Sequence, residues 1–67
     1  MSDVETLKAE VKKLSAKAMQ AKMDLHDLSE ELPVGVENVM ATAERVRDSY
    51  AALTAKRAEL KALEAAA

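Results

Sequence analysis

Pro33 and Gly35 are the chain's only proline and only glycine, and they stand two residues apart at its middle. Proline removes a backbone donor and disfavours helix at the residue before it, here Leu32. Glycine adopts positive φ at little cost. Leu32-Pro33-Val34-Gly35 therefore reads as a turn, with no helix breaker of either kind on its two sides. That restricts the chain to two long arms and one tight link.

Both arms read as helix. In the first, Val4, Leu7, Val11, Leu14, Ala18, Ala21, Leu25, Leu28 and Leu32 are spaced alternately three and four. This is an unbroken heptad seam of coiled-coil type. Ser2 and Glu5 make a capping box at its start. The predicted helix covers residues 3–31, a rod of roughly 43 Å. The second arm is predicted helical over residues 36–64. Val36, Val39, Ala43, Val46, Tyr50 and Leu53 hold the same spacing. Arg57 takes the next seam position before Leu60, and Leu63 falls off the old register. The spacing predicts a shift in the seam near Arg57, with the arginine snorkelling at that end. The tail, residues 64–67, is expected to fray.

A short link between long helices makes them antiparallel. The predicted fold is all-α: one antiparallel αα-hairpin over residues 1–67, with the turn at 32–35. Such a hairpin buries only a thin seam. Of its apolar residues 14 are Ala, and 19 are large: eight Leu, six Val, four Met and one Tyr. Burying a large apolar side chain is worth roughly 1.5–3 kcal/mol, whereas ordering each residue costs roughly 1.5 kcal/mol. That balance predicts self-association into a homodimer, a four-helix bundle of two hairpins. Ala18, Ala21 and Ala43 narrow the seam and permit close helix approach.

Several functions are excluded by what is missing. Without Cys there is no disulfide, thiolate metal site or cysteine nucleophile. One Gly cannot make a phosphate-binding loop. Ser15, Ser29 and Ser49 share a single His, so no nucleophile–base–orienter set is expected, and the protein is read as a non-enzyme. A net charge of −2 and a pI near 5.3 argue against nucleic acid as a partner. No apolar run approaches the roughly 20 residues of a membrane span. Met1-Ser2-Asp3 does not begin a secretory signal, so a cytoplasmic location is expected.

The charges are segregated. Lys8, Lys12, Lys13, Lys17 and Lys22 make the open end of the first arm basic. Asp24, Asp27, Glu30, Glu31 and Glu37 make the tip acidic. These acids oppose the dipole of the first helix where they precede the turn, which adds weight to a recognition role beside that of a solvated face. His26 is the only histidine. Its spacing places it beside Asp27 and Glu30, a set able to hold Fe²⁺, Ni²⁺ or Zn²⁺ or to serve as ordinary surface groups. Ala16, Met19, Met23, His26 and Glu30 form a stripe on the helix face opposite the seam. Methionine there suits a four-helix dimer contact or a second partner.

Asp24-Leu25-His26-Asp27-Leu28-Ser29-Glu30-Glu31-Leu32-Pro33, followed by Glu37-Asn38-Val39 and Tyr50-Ala51-Ala52-Leu53, carries a resemblance. It resembles the short Rop-like two-helix proteins of nitrogen-fixation gene clusters, a family that includes nitrogenase-associated factor T. The likeness covers roughly Lys12 to Leu63. The family tends to carry a bulky aromatic after the proline, where this chain has Val36. The resemblance implies a Rop-like helix pair that can dimerise. It also implies an accessory role beside nitrogenase, with the molybdenum–iron protein as partner, in assembly, protection or repair. A link of the family with metal extends to His26, with Asp27 and Glu30 beside it. The expected partner surface comprises Met19, Met23, Asp24, His26, Asp27, Glu30, Glu31 and Pro33.

Overall fold

The computed structural model describes residues 3–66. Helix α1 spans Asp3–Glu31, and helix α2 spans Val39–Ala66. Leu32 to Gly35 form the turn, and a 3-10 turn at Val36–Asn38 leads into α2. The two helices pack along their length as a hairpin measuring 51 × 15 × 12 Å. A compact chain of this length has a radius of gyration of about 11 Å. Here it is 15.3 Å, the value of a rod. Ser2 of the expected capping box lies outside the described residues, as does Ala67 of the tail. Residues 64–66 continue the helix where fraying was expected.

The turn closes on backbone groups. Val34 N–H donates to the Glu31 carbonyl at 3.0 Å, Val36 N–H to Pro33 at 3.1 Å, and Asn38 N–H to Gly35 at 2.9 Å. Gly35 has φ 78° and ψ 15°, the left-handed region. It offers the second helix no side-chain cap, so tight bonds of the 3-10 kind serve its first turn, and α-helix begins at Val39 instead of Val36. The Leu32–Pro33 peptide is cis.

The seam follows the heptad positions through most of its length. Ala18 and Ala21 on α1 and Leu53 on α2 are buried. Val4, Leu7, Val11, Leu14, Leu25 and Leu28 face Val39, Ala43, Val46, Tyr50, Leu60 and Leu63 as a half-buried row on each helix. Two expectations are corrected. Leu32 and Val36 share the seam's spacing but are exposed, because both lie in or beside the turn, past the point where the helices pack. The shift of register also comes one residue earlier. Arg57 is exposed, while Lys56 is half-buried. Tyr50, Leu53 and Lys56 are two successive steps of three, which rotates the seam before Leu60 and Leu63 resume it. Lysine tolerates this place because its stem can lie on the seam while its ammonium reaches out.

Among the described residues, three ion pairs connect the helices along the rod: Lys8 with Glu64 at 3.9 Å, Lys56 with Glu10 at 3.3 Å, and Arg45 with Asp24 at 2.6 Å. Exposed pairs contribute roughly 0–1 kcal/mol each. Their consequence is pairing of specific levels of the two helices. Lys56 titrates above its ordinary range, chiefly through its hydrogen bond to Glu10, then through the charges of Glu10 and Glu59.

Candidate functional site

The exposed apolar surface is concentrated at one end. Among the described residues, the large hydrophobic side chains left exposed are Met19, Met23, Leu32, Val34, Val36 and Met40. All of them fall between positions 19 and 40, from the middle of α1 through the turn to the start of α2. Met19 and Met23 stand on the outer face of α1, each a little over half exposed. Val34 and Met40 are more open still, at 70% and 72%. Heptad spacing identifies the first pair. It does not identify Val34 and Met40, which lie off the seam, or Leu32 and Val36, which it assigns to the core. The signal available was the pair of valines in Pro33-Val34-Gly35-Val36, since turns favour Gly, Pro, Asn, Asp and Ser.

From Met23 onward, acids are interspersed with these side chains in the sequence. Residues 23–44 carry six acids and neither Lys nor Arg. All ten Lys and Arg therefore lie in the remainder of the chain. The hairpin is a rod with an acidic tip half and a net basic open half. The last turn of α1 contains no basic residue, so Glu30 and Glu31 stand uncompensated against the helix dipole.

The structure separates the expected contact residues into groups. Glu31 and Pro33 are exposed at the turn. Asp24 is engaged within the fold: Gln20 Nε2 donates to Oδ1 at 2.9 Å and Arg45 to Oδ2 at 2.6 Å. It holds α2 against α1. His26, Asp27 and Glu30 stand together in solvent. Nδ1 of His26 lies 3.6 Å from Asp27 and Nε2 lies 3.7 Å from Glu30. The Ser29 hydroxyl donates back to the His26 carbonyl at 2.7 Å, which keeps it within its own helix.

One donor atom from each of His26, Asp27 and Glu30 falls within 4.8 Å of the others. All three side chains are exposed, and all project from one convex helix. Metal sites hold their ligands in place with further hydrogen bonds to surrounding groups. The two contacts of His26 are internal to the cluster, and the arrangement favours a solvated group of polar side chains over a metal cage.

The other half of the hairpin has a groove of about 510 Å³ between the helix ends, open to solvent. Asp3, Leu7, Glu10, Lys56, Glu59 and Leu63 are among its lining residues. Its acids outnumber its single lysine, which already pairs with Glu10 and Glu59. No helix among the described residues is long and apolar enough to cross a membrane.

Comparison with known proteins agrees with this architecture. No solved structure matches the chain. A UPF0437 protein of Azorhizobium caulinodans is 52% identical over all of this chain and 97% of its own length. A UPF0437 protein of Trichormus variabilis is 46% identical over 91% of this chain and 71% of its own. A relative in Frankia alni is 43% identical over 73% of this chain and 60% of its own, and is described as a UPF0437 protein in the nifX-nifW intergenic region. The Rop-like family matches residues 2–65. With two antiparallel helices, one turn and a match over nearly its whole length, the chain belongs to the Rop-like family.

Proposed function

We propose that this protein is a small non-enzymatic accessory protein of nitrogen fixation that binds a nitrogenase component, with the molybdenum–iron protein as first candidate. The observation that carries the reading is the concentration of exposed apolar side chains in the acidic tip half, from Met23 to Met40, with Met19 just outside it. The position of the Frankia alni relative between nifX and nifW supports the nitrogen-fixation setting. Binding would serve assembly, protection or repair of the enzyme, in the cytoplasm. The contact surface comprises Met19, Met23, His26, Asp27, Glu30, Glu31 and Pro33, with Asp24 held behind it by Arg45. Met19 and Met23 point away from the seam, so their replacement leaves the hairpin intact. Met19→Glu with Met23→Glu should weaken binding to the purified molybdenum–iron protein by about tenfold or more, as loss of interface anchors does. Affinity equal to wild type would remove this face from the contact.

Free in solution, the hairpin is proposed to form a homodimer. A compact monomer of 7.2 kDa exposes about 4,100 Å². This chain exposes 5076 Å². The excess is of the size that each partner covers in a standard interface, about 800 Å². Sedimentation should find two chains together at micromolar concentration. A fully folded monomer under those conditions would contradict the dimer.

A further inference from the structure

We infer that the tip of the hairpin is the anchor of the partner contact: Leu32, Val34, Val36 and Met40 enter an apolar cleft whose rim is rich in Lys and Arg, on a folded protein other than this one. The inference rests on the accessory role proposed above and names the chemistry of its partner.

Four large aliphatic side chains are exposed at or just after one tight turn, Leu32 and Val36 in part and Val34 and Met40 most openly. A turn of this shape needs only the proline and the left-handed glycine. Polar residues at positions 34 and 36 would serve it equally well and would avoid an exposed apolar patch. The backbone beneath them is fixed by the bonds from Val34, Val36 and Asn38 to Glu31, Pro33 and Gly35. A surface already ordered loses little entropy on binding.

Charge determines what covers it. Asp27, Glu30, Glu31 and Glu37, all exposed, flank the patch along the chain, within a stretch of 22 residues that has no Lys or Arg. Such a stretch repels phosphate, so a nucleic acid or an anionic bilayer is the wrong surface. It attracts a basic rim, and opposite potentials around an apolar centre set orientation and speed of docking. A second copy carries its basic residues, Lys12, Lys13, Lys17 and Lys22 among them, on exposed helix faces outside the groove between its helix ends. The groove at the open end of the hairpin is bordered by Asp3, Glu10 and Glu59, and its Lys56 is already paired. A different protein, apolar in the centre and basic at the edge, fits both properties.

The test is calorimetric titration of the purified molybdenum–iron protein and the purified iron protein with wild type, Val34→Ser, Met40→Ser and the Met19→Glu, Met23→Glu variant. Circular dichroism verifies folding of each. Val34→Ser and Met40→Ser should each weaken binding by about tenfold. Wild-type affinity should fall with salt between about 50 mM and about 300 mM, as screening removes the attraction. Tip variants that bind as wild type does, while the methionine variant fails, would overturn the tip anchor and leave the accessory role standing. Binding indifferent to salt would overturn the basic rim. A change of sedimentation in the tip variants would assign the tip to self-contact and also overturn it. Wild type that binds neither component would remove the accessory role and the anchor together.

Discussion

Leu53→Ala should remove about 2–5 kcal/mol of the stability of the hairpin. Leu53 is 2% exposed, and the other two buried side chains among the described residues are the small Ala18 and Ala21. Truncating a buried leucine costs about 2–5 kcal/mol, because the lost burial is joined by the cavity left behind. A chain of 67 residues has only about 3–10 kcal/mol in total. A two-helix rod cannot close round such a cavity from further layers, since each helix has one neighbour within the chain. Val34→Ala supplies the control: the side chain is 70% exposed, and its loss should shift stability by less than about 0.5 kcal/mol. Urea unfolding followed by circular dichroism measures both. If Leu53→Ala behaves like Val34→Ala, the two helices are not packed through this seam.

Gly35→Ala should be the most damaging change of a single small residue at the surface. With φ at 78°, an L-residue at this position costs about 1–2 kcal/mol. A Cβ built there would also stand 3.0 Å from Leu28 Cδ1, close enough that Leu28 must give way. Gly35→Asn brings the same Cβ but tolerates left-handed backbone better, so it should lose less than Gly35→Ala. The difference between the two isolates the backbone part of the cost from the crowding at Leu28. An alanine variant as stable as wild type, or more so, would mean that the left-handed turn does not form.

The contrast between Leu53 and Gly35 shows what local pattern can reveal. Seam positions such as Val11 and Leu53 announce themselves by spacing, since burial along a helix repeats with the helix. Gly35 announces itself by chemistry, since one glycine beside one proline has few other uses. Spacing fails at the ends of the packed region. Leu32 and Val36 continue the pattern beyond the length over which the helices touch, so they look like core and are surface. Lys56 and Arg57 are adjacent cations, and only the packing at Glu10 distinguishes the one on the seam. Asp24 belongs by position to the acidic tip, but Arg45, which engages it, lies 21 residues away in the chain, and no local pattern joins them. His26 and Glu30 were placed together by their separation of four residues, and the structure sets them 3.7 Å apart. The apolar crown at Val34 and Met40 has no periodicity at all. It becomes visible when accessibility replaces spacing as the criterion.

The segregation of charge connects these observations to function. Basic residues lie outside residues 23–44, and three of them, Lys8, Arg45 and Lys56, pair with acids of the other helix. The tip lacks them, although a basic residue in the last turn of α1 would stabilise that helix by about 0.3–1 kcal/mol. The same stretch leaves its large apolar side chains in water. Both features weigh against the isolated fold and favour contact with another surface.

The most direct test of the proposed role is calorimetric titration of purified wild-type protein against purified molybdenum–iron protein. The expected result is saturable binding that weakens as salt is raised. No saturable heat with that protein or with the iron protein, under conditions where the hairpin is folded, would contradict it.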